Sequence, residues 1–201
     1  MCSEIKFQII RSIKRQIFGG YSSVLFSICS EESQLIKMKF LILTLCVTAV
    51  FADWRPLDSD EMKLVKTSWE KVKHNEVDIL YNIFKQNPDI QAKFTQFAGK
   101  DLETLKGTTS FATHATRIVS FLSDFILLME NNKNLPGIKV IVNQMGQNHK
   151  NRGVTKDQFN EFKNTFFEYM HASGDLQHAW NDAFDNLYYI VFSNLDGHPV
   201  A

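Results

Sequence analysis

From Asp53 onward the hydrophobic positions recur at steps of three and four, with no apolar–polar alternation bounded by turn residues. Such spacing predicts helix after helix, and hence an all-α domain. The stretch from Thr109 to Glu130 puts Phe111, Ile118, Phe121, Leu122 and Phe125 on one face, and His114 falls on the same stripe. After the Asn-Leu-Pro-Gly run at 134–137, read as a turn, Ile138, Val142 and Met145 form another stripe. His149 continues it one turn further on. Two later stripes, Phe159, Phe162, Phe166, Met170 and Trp180, Phe184, Leu187, Val191, Leu195, read as packing elements alone.

Helix starts are marked in the same region. Asp58 and Glu61 make a D-x-x-E capping pair, and Thr155 with Gln158 makes a second, since these side chains can satisfy amides left unpaired in a first turn. At Asn87-Pro88 the asparagine is expected to accept at the cap, with the proline in the first turn where its missing N–H costs nothing.

Composition adds limits. Lys plus Arg equals Asp plus Glu at 22 each, so no excess charge points toward nucleic acid or an acidic substrate. Phe is frequent at 17, with only 4 Pro, a balance suited to long helices around an aromatic-rich core. Cys2, Cys29 and Cys46 all precede Asp53, so a domain beginning there has neither disulfide nor thiol chemistry.

The first 52 residues differ in kind, carrying Lys6, Arg11, Lys14, Arg15, Lys37 and Lys39 against three acids. Met38-Lys39, the apolar run Phe40 to Val50 and the small residues Val50 and Ala52 have the three parts of a signal peptide, expected at 38–52 with cleavage before Asp53. The apolar run falls well short of the roughly 20 residues of a membrane-spanning helix, so no membrane association is expected of the mature form. Residues 1–37 are an extension of uncertain status. Ile5, Ile9, Ile13 and Ile17 suit a basic amphipathic helix like that of a transit peptide, while translation starting at Met38 is the plainer reading. The domain proper is therefore expected at 53–201.

Two histidines on apolar stripes need explaining, because a buried imidazole nitrogen without a partner costs about 1–3 kcal/mol. Each alone could be a satisfied core residue or an edge residue reaching water. For the pair, one iron held between two helices answers both, with one imidazole ligating the metal and the other facing its opposite side. Phe94 and Phe97, three apart after the Pro88 helix, can then present flat faces to a planar ligand, although core packing is open for Phe97. Zinc is disfavoured by the lack of Cys and of an HExxH motif in the domain. His74, His171, His178 and His198 have polar or mixed neighbours and are expected at the surface. No nucleophile elbow, phosphate loop or dinucleotide fingerprint is present, which leaves hydrolase readings without support.

The segments NPDIQAKFTQFAGKDLETLKG, TTSFATHATRIVSFL and QNHKNRGVTKDQF, with the Trp180-to-Leu195 helix, resemble the globins, and among them the secreted haemoglobins of insect larvae. The resemblance runs from Leu57 to Leu195 and implies a globin fold of seven to eight helices around a haem pocket. It also implies haem b, iron protoporphyrin IX, as cofactor and molecular oxygen as ligand. Phe94 resembles the phenylalanine that stacks on haem, and Pro88 the proline opening the preceding short helix. His149 resembles the proximal iron ligand. His114 resembles the distal histidine that can donate a hydrogen bond to oxygen in the pocket, and Ile118 the aliphatic residue closing it. Trp69 matches a packing tryptophan of the first helix. Arg117 is a candidate for a haem propionate, with a solvated surface role equally open. The Met145 carbonyl, one turn before His149, is expected to orient its ring. Phe94, Phe97, His114, Arg117, Ile118, Met145, His149 and Val154 thus make up the expected haem-contacting set. The stretch LLMENNKNLPGIK is a few residues longer than the family pattern, which loosens the alignment of His149.

The function implied is reversible oxygen carriage outside cells, in haemolymph, without catalysis. A six-coordinate sensor or electron-transfer globin, a nitric oxide dioxygenase or peroxidase-like enzyme, and a haem-free helical bundle stay open as alternatives. So does pairing into a homodimer.

Overall fold

The computed structural model describes residues 53–201, so the expected signal peptide at 38–52 and the extension at 1–37 lie outside the described part. Among the described residues there are eight α-helices, one 3-10 turn and no strand. The helices are α1 Ser59–Val72, α2 Glu76–Gln86, α3 Pro88–Ala92, α4 Leu102–Lys106, α5 Thr109–Met129, α6 Leu135–Lys150, α7 Lys156–Tyr169 and α8 Gly174–Asp196.

Local chemistry sets most of these boundaries. Asp58 Oδ1 accepts from the amides of Asp60 and Glu61, while Glu61 Oε2 accepts from the Asp58 amide, a reciprocal cap that starts α1. Thr155 and Gln158 repeat the arrangement at α7. Asn87 departs from expectation, because its side chain makes no cap for α3. Its amide instead donates to the Ile83 carbonyl, 3.0 Å, and to Thr165 Oγ1, 2.9 Å. The residue also ends α2, and from there its amide reaches back to close that helix and tie it to α7.

The run at 134–137 also differs from the expected turn. Pro136 lies in the first turn of α6, where no N–H is needed, so the run opens the helix and the chain reverses earlier, through the 3-10 turn Asn132–Asn134. On α5 the buried side chains are Phe111, Ala115, Val119, Leu122, Phe125, Ile126 and Met129. Ile118 and Phe121, expected on that face, are only half-buried, and Ala115 and Val119 are buried instead, so the core-facing stripe is rotated from the one expected. α5 is long and apolar enough to cross a membrane, but its apolar face is spent on the core.

α8 receives both α6 and α1, and α2 packs on α5 and α7. At the α1–α8 contact Trp69 meets Trp180 at 6.2 Å and Phe166 at 6.1 Å between ring centroids. Both of these indole N–H groups are satisfied, Trp69 donating to Ser123 Oγ and Trp180 to Ser68 Oγ, both at 2.9 Å. Ahead of α1 the backbone is strapped to α8. The Arg55 amide donates to Asn186 Oδ1 at 2.8 Å, Asn186 Nδ2 donates to the Arg55 carbonyl, and the Arg55 guanidinium pairs with Glu61 and Asp182.

Candidate functional site

α5 and α6 each bring one half-buried histidine to the same region. His114 stands one turn into α5, where the Thr108 hydroxyl caps the helix by accepting from the Phe111 amide. Its ring lies edge-on to Phe94, 4.7 Å between centroids, and 5.9 Å from Phe97. His149 sits in the last turn of α6, with Nδ1 2.8 Å from the Met145 carbonyl. Because a carbonyl can only accept, Nδ1 carries the proton, and the lone pair of the neutral ring is on Nε2. The Phe159 ring of α7 backs this imidazole at 5.2 Å.

Burial biases both rings toward the neutral form. Burial is the main cause holding His114 below the usual histidine range, helped by the positive charges of Arg117 and Arg152 and by His149. Burial likewise lowers His149, opposed by its bond to Met145 and aided by Arg152. A neutral imidazole with one nitrogen committed to a carbonyl is the form that binds a metal. Among the described residues no three His, Cys, Asp or Glu side chains gather to hold a metal by themselves. One imidazole suits a metal whose remaining ligands come from elsewhere, as in a macrocycle.

The other residues singled out in the sequence are distributed unequally. Phe94 is half-buried and tilts against Phe84 at 4.9 Å, while Phe97 is 1% exposed and enclosed by Phe84 and Phe111. Phe97 thus belongs to the core and reaches the histidines only through His114. Ile118 is half-buried one turn after His114, and Arg117 is exposed. Val154 is half-buried, its amide donating to the His149 carbonyl at 3.1 Å. His74, His171, His178 and His198 are exposed.

Three participants escaped the sequence reading. Phe159 was indistinguishable from its stripe-mates until α7 was placed behind His149. Arg152, three residues past His149, is exposed, and its positive charge lowers both imidazoles. Lys93 donates from Nζ to the Gly153 carbonyl at 2.7 Å, joining the loop after α3 to the loop after α6. Only the last had a signal in the sequence: a glycine shortly after a helix end, here at φ +66°.

A family model described as Globin matches residues 77–194. The chain belongs to the globin family. Globin CTT-II beta of Chironomus thummi thummi is 52% identical over 162 residues, covering 79% of this chain and all of that protein. Globin CTT-V of Chironomus thummi piger is 54% identical over 157 residues, 76% of this chain and 95% of the relative. Among solved structures, a hemoglobin component, TA-VII, from Tokunagayusurika akamusi superposes with a TM-score of 0.69 at 44% identity, over 71% of this chain and 99% of that one. A hexa-coordinate hemoglobin of Drosophila melanogaster gives a TM-score of 0.63 at 26% identity, over 72% of this chain and all of that one. This globin has the fold of those haemoglobins, and haem binding goes with the family. The donor set fits, since the His149 ring has its lone pair on Nε2 and its other nitrogen bonded to a carbonyl.

Proposed function

We propose that this globin binds oxygen reversibly at a haem b between α5 and α6 and carries or stores it outside cells. The observation that carries the reading is the pair of neutral imidazoles, His149 tied to its own helix through Met145 and His114 facing Phe94. When bound, the haem supplies the ferrous iron at which oxygen is taken up and released. His149 offers Nε2 to the metal, and the Met145 carbonyl fixes its tautomer and ring plane. His114 would offer an N–H to a bound ligand that carries partial negative charge, stabilising it by about 1.5–3 kcal/mol. Phe94, Ile118 and Val154 border the region with half-buried apolar surface, which excludes water and slows oxidation. Arg117, exposed beside His114, serves a haem propionate at the mouth.

Carriage needs no bond making in the ligand, and the rings that flank His114 among the described residues, Phe94 and Phe97, offer no acid–base group. That supports a carrier over a peroxidase-like or nitric oxide-consuming enzyme. Likeness to a hexa-coordinate Drosophila haemoglobin keeps a second reading in view, with His114 itself on the metal. The visible spectrum of the ferrous, unliganded protein separates them. A five-coordinate, high-spin spectrum is expected, and a low-spin, six-coordinate one would replace the carrier with a sensor or electron-transfer protein. Secretion rests on the leader-like run at 38–52 and on likeness to the Chironomus globins. Mass analysis of protein from body fluid should give an N-terminus at Asp53.

A further inference from the structure

α6 is held against α8 by a contact that apolar packing alone does not require. Gly146 lies within α6, where glycine is less favourable than alanine by about 1 kcal/mol, so its place there calls for a reason. A Cβ at this position would come to 2.8 Å from the Cβ of Asn194 on α8, closer than side chains tolerate, and to 3.1 Å from its Cγ, so Asn194 would have to shift. The backbone of α6 at Gly146 therefore lies directly against the Asn194 side chain. Asn194 itself is 2% exposed, and its Nδ2 donates to the Ile190 carbonyl at 3.1 Å and to Asn143 Oδ1 on α6. Asn143 Nδ2 in turn donates to the Val200 carbonyl at 2.7 Å. The tail that brings Val200 there is turned back at Gly197, φ +92°, and held by Ser193 Oγ donating to the His198 carbonyl.

Two α6 residues three positions apart, Asn143 and Gly146, thus engage α8, and Met145 and His149 follow on the same rigid rod. Gly146 fixes how closely α6 approaches α8, and the Asn143–Asn194 amide bond fixes its register along it. An amide bond between a buried and a half-buried asparagine specifies one alignment where apolar side chains would accept several.

We propose that Gly146, Asn194 and Asn143 are positioning residues that set where α6 presents the His149 imidazole to the haem iron, and so set the rate of ligand release. The inference rests on the reading of His149 as the iron ligand. The test uses the haem-loaded full domain with Gly146→Ala, Asn194→Gly, the pair together, and Asn143→Ala, the last keeping the test open should the glycine variant not fold. Three quantities are read: the iron–histidine stretching band of the ferrous protein by resonance Raman, the oxygen dissociation rate, and stability to denaturant. Gly146→Ala is expected to shift the band and to change dissociation by about threefold or more, the scale of coupling carried through packed networks. Asn143→Ala should shift the band in smaller measure. With Asn194→Gly added, the space for the new Cβ returns and the combined shift should be smaller than that of Gly146→Ala alone. A band that stays put while stability falls, or single shifts that simply add, overturns the clamp. His149→Ala retaining an unaltered axial band would instead overturn the ligand assignment itself.

Discussion

Around Trp69 and Trp180 every ring is closed over by its neighbours, whereas around His114 and His149 the side chains stop half-way to burial. In the first region Phe166 and Phe184 complete the packing, with centroids 5.2 and 5.9 Å from Trp180, and both indole donors find a hydroxyl. In the second, Phe94, Ile118, Met145 and Val154 stay half-buried, with Phe94 edge-on to His114 and the backbones of Met145 and Val154 bonded to His149. A domain of this size could cover those groups with its own side chains. That it does not distinguishes a region that stabilises from one shaped to receive something.

The contrast can be broken at either end. Trp180→Ala removes the centre of the packed region and should cost about 3–5 kcal/mol of stability. Denaturant unfolding measures this, and the haem spectrum of the folded fraction should stay unchanged. His149→Ala acts the other way, speeding haem loss by more than the roughly 100-fold that follows from losing an outer partner alone, with a smaller effect on the fold. Transfer of haem to a scavenger protein gives the rate, and retention at the parent rate would remove His149 from the metal. His114→Leu should raise oxygen dissociation roughly 10- to 100-fold by deleting one charge-assisted hydrogen bond, and should speed oxidation of the iron. Flash photolysis or stopped flow reads the first, and unchanged rates would take His114 out of the pocket.

The smallest effect is a pH dependence of the haem-free domain. Both imidazoles sit below the ordinary value of 6.5 when folded, burial being the leading cause. Below that pH the unfolded chain takes up protons that the folded one refuses, so stability present above it declines as pH falls below 6.5. Replacing both histidines with Phe should flatten this slope in denaturant melts, and an unchanged slope would assign it to other groups.

Most of this architecture could be read before the fold was known, and for a physical reason. Helix starts at Asp58 and Thr155 are written within four residues, so the capping pairs were legible in isolation. His114 and His149 stood out because each broke an apolar stripe. What escaped depended on which helix lies opposite. Asn87 could cap α3 or reach back to α2 and α7, and only the nearness of Thr165 decides. Phe97 and Phe94 look alike three residues apart, yet one faces Phe111 and the other His114. The value of Gly146 likewise shows only when Asn194 is set against it.

The mutual bonds between Arg55 and Asn186 join residues 131 positions apart, and α1 rests on α8 in the same neighbourhood. During synthesis the opening helix therefore emerges long before its partner, with the indole of Trp69 uncovered while the intervening chain is made. Closing so long a loop carries an entropic penalty that grows only slowly with length, so the delay is one of timing rather than of thermodynamics. The domain completes its core only when the final helix has left the ribosome, and a nascent chain stalled before residue 174 presents an adhesive apolar strip to whatever chaperone is near.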